Sequence, residues 1–239
     1  MTNPANTDEP IVQQNDAEIG QAKKLRRIDR HYIVHEIEHF LHFEKGILHT
    51  IRALLFAPGQ TVRRFLTEDR DRIVKPITFI IITSLIYTVV NQFFHFEDNY
   101  IKFDGDKGST TVLIFKWVRE HYGYTNIIMG AFVAFWAKLF FKKYDYNFYE
   151  ILILICFITG ITMLFYTVAV VVQVATHIYT LQGAGILGTI YFTWAMAQFF
   201  DQSKPINYLK AIGSYALGSI TSMLFAVLLG TVIDLIIKH

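Results

Sequence analysis

The sequence predicts an all-α fold, a polytopic membrane helical bundle of about five transmembrane helices preceded by two cytoplasmic amphipathic helices. Of the 239 residues, 53% are hydrophobic and only 18% are charged. The mean hydropathy of +0.34 is too apolar for a soluble domain of this length. Several long stretches carry almost no charge, and basic residues concentrate before the first of them. These three observations together indicate a membrane protein.

Residues 76–94 (PITFIIITSLIYTVVNQFF) contain no charged residue. As a helix they are long enough to cross a hydrocarbon layer of about 30 Å, and they form the first predicted span. The four later predicted spans are 125–141, 149–175, 184–200 and 211–235. Of these, 125–141 and 184–200 are close to the minimum length for a complete crossing.

The chain divides into three predicted parts. Residues 1–24 are polar and have too few apolar side chains to order themselves, so we expect a disordered tail. Residues 25–75 are expected to lie on the cytoplasmic surface as amphipathic helices and a basic segment. Residues 76–239 form the predicted transmembrane domain.

The surface segment is predicted to contain two helices separated by a sharp break. From Ile33 to Leu55 the apolar residues share one side of a helix, but charged residues interrupt them too often for a membrane span. Pro58 and Gly59 break this helix, and Thr61 is expected to cap the second one. Both helices should therefore lie against the membrane surface or under the bundle.

Orientation follows from the distribution of lysine and arginine, because basic loops are retained on the cytoplasmic side. Twelve of the 22 basic residues precede the first span. The 142–148 and 201–210 loops carry two lysines each, whereas the 176–183 loop carries none. We therefore expect a multi-pass protein of a bacterial inner membrane with a cytoplasmic N-terminus and a periplasmic C-terminus.

Five basic residues form a collar immediately before the first span: Arg63, Arg64, Arg70, Arg72 and Lys75. Such a cluster beside a span attracts anionic lipid headgroups, so the lipid bilayer is the expected partner. The whole chain has a formal net charge of only +2, and no stretch interleaves basic residues with exposed aromatics. A nucleic-acid partner is therefore not expected.

The stretch HEIEH matches the H-E-x-x-H pattern of zinc metallopeptidases. On a helix His35 and His39 would hold zinc one turn apart, and Glu36 would activate the bound water. His42 extends this metal-binding alternative, and His31 and His49 lie in the same segment. Catalytic zinc also needs a third protein ligand, and no further His/Asp/Glu cluster occurs in the later spans. The favoured interpretation is a solvated polar helix face, with no cofactor.

The last span carries small residues every four positions: Ser214, Gly218, Ser222, Ala226 and Gly230. Small residues at this spacing let a neighbouring helix approach closely, which is how helices associate inside lipid. We expect this face to pack within the monomer. A homodimer seam is the alternative.

Two segments, FLHFEKGILHTIRALLFAPGQTVRRFL and FFKKYDYNFYEILILICF, resemble a bacterial membrane-protein family classed as a domain of unknown function. The residues that carry the resemblance are Gly46, Thr50, Pro58, Gly59, Pro76, Tyr146, Asn147 and Glu150. Many members have an N-terminal zinc ribbon, which the cysteine-free polar tail lacks here. The expected five-span plan is also similar to Yip-type membrane proteins, which act as scaffolds. The family resemblance implies no activity.

We therefore expect a non-enzymatic membrane protein with a scaffold or membrane-organising role, acting on lipid and on a second copy or another protein. Two alternatives remain at this point. One is a membrane zinc metallohydrolase that uses the HEIEH segment, and the other is a small-solute carrier or channel. The spans offer little support for ion coupling, because their few polar residues lie near the ends.

Overall fold

The computed structural model describes residues 46–94 and 110–237, and every regular element in these two ranges is an α-helix. The expected all-α class is confirmed. The predicted tail and the first part of the first amphipathic helix lie outside the described residues. In chain order the helices are α1 (Gly46–Phe56), α2 (Pro58–Thr67), α3 (Pro76–Phe93), α4 (Thr110–Glu120), α5 (Tyr122–Phe140), α6 (Phe148–Thr176), α7 (Leu181–Phe200) and α8 (Pro205–Ile237).

Within the described residues, α3, α5, α6 and α8 are long and apolar enough to cross a membrane. They correspond to four of the five predicted spans. The remaining predicted span, 184–200, lies in α7, which has 20 residues but is not one of these four apolar helices. The helix predicted there is present, and its complete crossing stays a prediction.

Two helices begin earlier than the sequence pattern suggested. Helix α2 begins at Pro58, with Ala57 as the N-cap, so the prediction that Thr61 caps this helix is wrong. The Thr61 hydroxyl donates instead to the Ala53 carbonyl at 3.1 Å. Helix α8 begins at Pro205 rather than near residue 211. In both cases proline stands at the first helical position, where its fixed φ angle suits a helix and its missing N–H costs nothing.

Helices α3 and α6 pack side by side in the same direction. The Phe79 and Phe157 rings, near the two N-termini, have centroids 5.8 Å apart, and Tyr87 and Tyr166, further along, have centroids 6.2 Å apart. Gly160 permits this approach, because a Cβ atom there would lie 2.6 Å from the Phe79 ring. Parallel neighbours require that the chain return between them.

Helices α5 and α8 pack in opposite directions. The ring of Phe140, at the end of α5, is 3.1 Å from the Cβ position of Gly213, near the start of α8. Phe132, earlier in α5, has its ring centroid 5.5 Å from that of Phe225, later in α8. The C-terminal part of α8 therefore extends along the start of α5.

The end of α5, the start of α6 and the end of α7 meet in an aromatic cluster. The Phe141 and Phe200 rings stack with centroids 3.9 Å apart, and the Tyr146 and Phe199 centroids are 4.4 Å apart. Helix α2 also packs here, so we call this end of the bundle the collar end.

Helix α6 begins with a capping box. The side chain of Asn147 accepts from the Glu150 backbone N–H at 2.9 Å, and the Asn147 N–H donates to the Glu150 carboxylate at 2.7 Å. These two bonds satisfy donors that the first turn of a helix leaves free. Two of the residues that carry the family resemblance therefore have a structural role at the collar end.

Candidate membrane-surface site

Helix α2 packs directly against the end of α7, and a glycine makes this close contact possible. The Cβ atom of any other residue at Gly59 would lie 2.3 Å from the Phe199 backbone nitrogen. The Gly59 N–H donates to the side-chain oxygen of Gln198 at 2.8 Å, and both residues are buried. The sequence pattern identified Gly59 as a helix breaker and as part of the family resemblance. Its second role depends on a residue 139 positions away.

Arg63, one of the five collar residues, also contacts the end of α7. Its guanidinium donates to the Phe199 carbonyl at 3.0 Å, and its side chain is half-buried. The last carbonyls of a helix have no partner within the helix, so Arg63 satisfies one of those that α7 leaves free. Arg63 therefore contacts the bundle, whereas the sequence had grouped it with residues facing lipid.

The segment after α2 is held against α1. The Val74 N–H donates to the Thr50 hydroxyl at 3.0 Å, and that hydroxyl donates to the Gly46 carbonyl at 2.7 Å. One turn further along α1, the Tyr191 hydroxyl of α7 donates to the Leu54 carbonyl at 3.0 Å. Helix α1, helix α2 and the 68–75 segment are thus fixed to the bundle by hydrogen bonds.

A charged cavity of about 110 Å³ lies between α1, α2 and the 68–75 segment. The buried side chains of Phe65 and Ile73 form part of its wall. Its charged or titratable lining residues are His49, Arg64, Glu68, Asp69 and Arg72. The cavity therefore presents two cations, two anions and one imidazole.

The remaining collar residues are free for an external partner. The side chains of Arg64, Arg70, Arg72 and Lys75 are all exposed. Among residues 46–94 and 110–237, none of these four makes an ion pair or a side-chain hydrogen bond. The chain therefore carries four exposed cationic groups just before the start of α3.

Two basic residues elsewhere at the collar end, Lys138 and Lys210, have internal contacts. The ammonium group of Lys138 donates to the Tyr146 carbonyl at 2.5 Å. Lys210 lies 5.6 Å from the centroid of the Phe141 ring, a distance typical of a cation–π contact. These residues stabilise the aromatic cluster, in contrast to the four free collar residues.

The α7–α8 loop contains an ion pair between Lys204 and Asp201, with the ammonium nitrogen 2.7 Å from the carboxylate. The Ser203 hydroxyl and backbone N–H also donate to this carboxylate, at 2.6 and 3.1 Å. The hydrogen bond from Lys204, followed by those from Ser203, lowers the pKa of Asp201 from its ordinary 3.8 to about 2. The same hydrogen bond raises the pKa of Lys204.

We expect this loop to contribute to stability unchanged between about pH 4 and pH 10. A lowered carboxyl pKa gives a contribution that is complete above the unfolded value and lost as pH falls through about 2. A raised lysine pKa gives one that is lost only as pH rises through a value above 10.5. Carboxyl NMR of Asp201 in detergent should show the low midpoint, and Lys204→Met should move it upward. A wild-type midpoint near 3.8 would contradict the loop geometry.

The HEIEH residues His35, Glu36 and His39 lie outside the described residues, as do His31 and His42. His49 is the one member of that histidine-rich segment that the structure describes, and it is an exposed residue in the wall of the charged cavity. Across residues 46–94 and 110–237, no three His, Cys, Asp or Glu side chains come together in a way that could hold a metal ion.

The small-residue face of α8 contacts other helices of the same chain. Ser214 is fully buried, and a Cβ atom at Gly218 would lie 2.6 Å from the Val133 Cα of α5. A Cβ atom at Gly230 would lie 2.8 Å from the Thr111 Cα of α4. Gly218 and Gly230 therefore let α8 approach α5 and α4 closely.

Ser222 and Ala226, the other two small residues, border an apolar cavity of about 500 Å³ between α4, α5 and α8. Its wall includes Trp117, Met129 and Phe225, and its lining is almost entirely apolar. Such a lining suits hydrocarbon better than water or ions.

These helices define a membrane-embedded, all-helical bundle. Residues 44–88 match the model of a family described as a protein of unknown function (DUF3667). The match covers fewer than half of the residues, and it includes α1, α2, the whole lining of the charged cavity and most of α3. It agrees with the expected likeness to a domain of unknown function. Comparison with curated proteins found no match, and comparison with solved structures found none either.

Proposed function

We propose that the protein is a non-enzymatic, multi-pass protein of a bacterial inner membrane that organises the membrane or a partner at its cytoplasmic surface. The observation that carries the proposal is the set of four exposed, unpaired cationic side chains on a segment hydrogen-bonded to the bundle. The hydrogen-bonded backbone keeps these four cations together beside the start of α3, where they can bind anionic headgroups. A second copy of the chain or another protein is the further partner expected of a scaffold.

The five-span topology is supported by the position of α7 among its neighbours. Thr180, just before α7, donates to the Ala169 carbonyl, whereas Gly188, later in α7, lies against Thr162, earlier in α6. Helix α7 therefore runs antiparallel along α6. Its C-terminal half is almost completely buried, from Tyr191 to Phe200. A helix that is half surrounded by protein does not need the hydropathy of one that faces lipid along its whole length, so α7 can cross although it is not among the four apolar helices.

The proposed orientation is supported by the basic residues at the collar end. Lys142 and Lys143 follow α5, Lys204 precedes α8, and the free collar residues precede α3. The contacts described above bring these segments to one end of the bundle. Because basic loops are retained in the cytoplasm, this end is the cytoplasmic one and the end of α8 is periplasmic.

The two alternatives require features of a different kind. A carrier needs an aqueous path lined by polar side chains, whereas the cavity between α4, α5 and α8 has an almost entirely apolar lining with three hydroxyl residues, Thr125, Ser219 and Ser222. A zinc hydrolase needs bound metal at His35 and His39 and a catalytic role for Glu36. We favour the scaffold because it uses the exposed cations and requires neither feature.

The combined variant Arg64→Gln/Arg70→Gln/Arg72→Gln should bind phosphatidylglycerol more weakly than the wild type. Each arginine near an anionic surface contributes about 1 kcal/mol, so the three together should change the affinity by roughly a hundredfold at low salt. Displacement of a fluorescent phosphatidylglycerol from the detergent-purified protein measures this change. Arg63 is left in place, because it holds α2 on α7.

The matched control removes the same charge elsewhere, as Arg52→Gln/Lys142→Gln/Lys143→Gln, and all three of its sites are exposed. We expect it to retain most of the wild-type affinity. Equal losses in the two variants would mean that net charge, and not the collar, binds the lipid. About one zinc per purified chain that disappears in His35→Ala/His39→Ala would instead favour the hydrolase.

A further inference from the structure

We infer that the charged cavity between α1, α2 and the 68–75 segment binds a lipid headgroup that carries both a phosphate and a primary ammonium group. The inference rests on the proposed role of this surface at the membrane and adds the chemical class of the ligand. It is carried by the opposed charges of the cavity wall, by the fixed positions of the elements that bear them and by the size of the space between them.

The cavity wall contains equal numbers of cations and anions. Arg64 and Arg72 supply two positive charges, and Glu68 and Asp69 supply two negative charges. Among the described residues, no ion pair joins these groups across the cavity. A purely anionic headgroup would gain from the arginines but would be repelled by the carboxylates. A zwitterionic headgroup can place its phosphate on the arginines and its ammonium on the carboxylates.

Hydrogen bonds fix the elements that carry these charges. Thr61 joins α2 to Ala53 of α1, and Thr50 joins α1 to Val74 of the following segment. The side chain of Asp69 accepts from the backbone N–H of Asp71 at 2.9 Å, which orients one carboxylate. The backbone segments that carry the lining are therefore held to α1, and one of the two carboxylates is oriented.

The size and position of the cavity fit the polar end of a lipid. A volume of about 110 Å³ is that of roughly four water molecules, which admits a small polar group but not an acyl chain. All its lining residues precede Pro76, where the first apolar helix begins. A ligand held here would have its polar end beside the start of α3, and its acyl chains would extend along α3 into the apolar layer.

Carboxylates distinguish a primary ammonium from a quaternary one. A primary ammonium donates up to three hydrogen bonds, whereas a trimethylammonium group donates none and is bulkier. We therefore expect a preference for phosphatidylethanolamine over phosphatidylcholine. Free phosphoethanolamine carries the same two groups, and we assign the site to the lipid because of its position beside α3.

The test measures binding of short-chain phosphatidylethanolamine, phosphatidylcholine and phosphatidylglycerol to the delipidated full-length protein in detergent by native mass spectrometry. Asp69→Asn should weaken phosphatidylethanolamine binding about tenfold, the effect of one charge-assisted hydrogen bond, and should strengthen phosphatidylglycerol binding. Asparagine keeps the side-chain oxygen that accepts from Asp71. These opposite changes could not arise from a general loss of folding.

Two controls match the substituted charges. Asp71→Asn removes the same charge two positions away at an exposed residue outside the cavity, and should leave the phosphatidylethanolamine preference unchanged. Arg72→Gln should weaken the binding of both phosphatidylethanolamine and phosphatidylglycerol, whereas Arg52→Gln, on an exposed part of α1, should weaken neither.

Three results would overturn the inference. They are equal binding of phosphatidylethanolamine and phosphatidylcholine by the wild type, equal effects of Asp69→Asn and Asp71→Asn, and binding of soluble phosphoethanolamine as tight as that of the lipid. The phosphatidylglycerol measurements test the membrane-surface role independently of the headgroup assignment. If the collar variant loses phosphatidylglycerol but the wild type shows no preference for ethanolamine, the membrane-surface role stands and the headgroup assignment fails.

Discussion

Gly59→Ala should destabilise the attachment of α2 to the bundle more than any other single methyl addition at the collar end. The added Cβ atom would lie 2.3 Å from the Phe199 nitrogen and 2.5 Å from the Gln198 carbonyl carbon. These are backbone atoms of α7, so no side-chain rotation can relieve the overlap. Helix α2 must move, and the bonds from Gly59 to Gln198 and from Arg63 to Phe199 would lengthen or break.

We expect the free energy of unfolding to fall by about 3 kcal/mol, from overpacking together with the loss of hydrogen bonds that hold buried groups. Thermal unfolding in detergent measures the loss. Trypsin should also cleave at Arg63 and Arg64 faster once α2 is displaced. Gly183→Ala is the matched control, because a Cβ atom at Gly183 meets nothing within 4 Å. Similar stabilities of the two variants would contradict the direct contact between Gly59 of α2 and the end of α7.

Gly218→Ala should separate α8 from α5. The added Cβ atom would lie 2.6 Å from the Val133 Cα and 2.8 Å from its nitrogen. Withdrawal of α8 would also lengthen the hydrogen bond from the Trp136 ring to the Thr221 hydroxyl, now 3.3 Å. Overpacking of this kind costs about 1–3 kcal/mol. We expect a lower midpoint of thermal unfolding with no change in the oligomeric mass.

Ala216→Leu is the control for this second variant. It adds more volume to the same helix, but Ala216 is exposed, so the stability should stay within about 0.5 kcal/mol of the wild type. Light scattering of the detergent complexes completes the test. If Gly218→Ala reduced a dimer to monomers without loss of stability, the small-residue face would be a seam between chains and not an internal contact.

Hydrophobic pattern alone was sufficient to predict most of the fold. The lengths of the stretches with almost no charge predicted α3, α5, α6 and α8, because the thickness of the hydrocarbon layer sets the length of a spanning helix. The break at Pro58 was also predictable, since proline restricts the backbone locally. The start of α2 was misplaced by four residues, because Pro58 itself begins the helix after Ala57 and Thr61 was assigned a capping role it does not have.

From the sequence, the candidate site was predictable only as a group of basic residues before α3. The sequence indicated a basic collar but could not separate Arg63 from Arg64, which are adjacent in the chain. They point in directions about 100° apart on α2, and only Arg63 reaches the end of α7. The charged cavity was not predicted, because His49 and Arg72 approach one another through the folding back of α2 and the 68–75 segment. The HEIEH motif rests on sequence alone.

By itself the sequence determined the helical class, the membrane location and the concentration of cations before α3. These properties depend on composition and on short-range periodicity, which any local stretch carries within it. The tertiary structure decided that Gly59 is a contact point, that Arg63 faces protein while Arg64 stays free, and that the C-terminal half of α7 is enclosed by its neighbours. Each of these depends on residues far apart in the chain, and the bond between Gly59 and Gln198 joins positions 139 residues apart. Local pattern carries no information about such pairs, because packing between helices selects them.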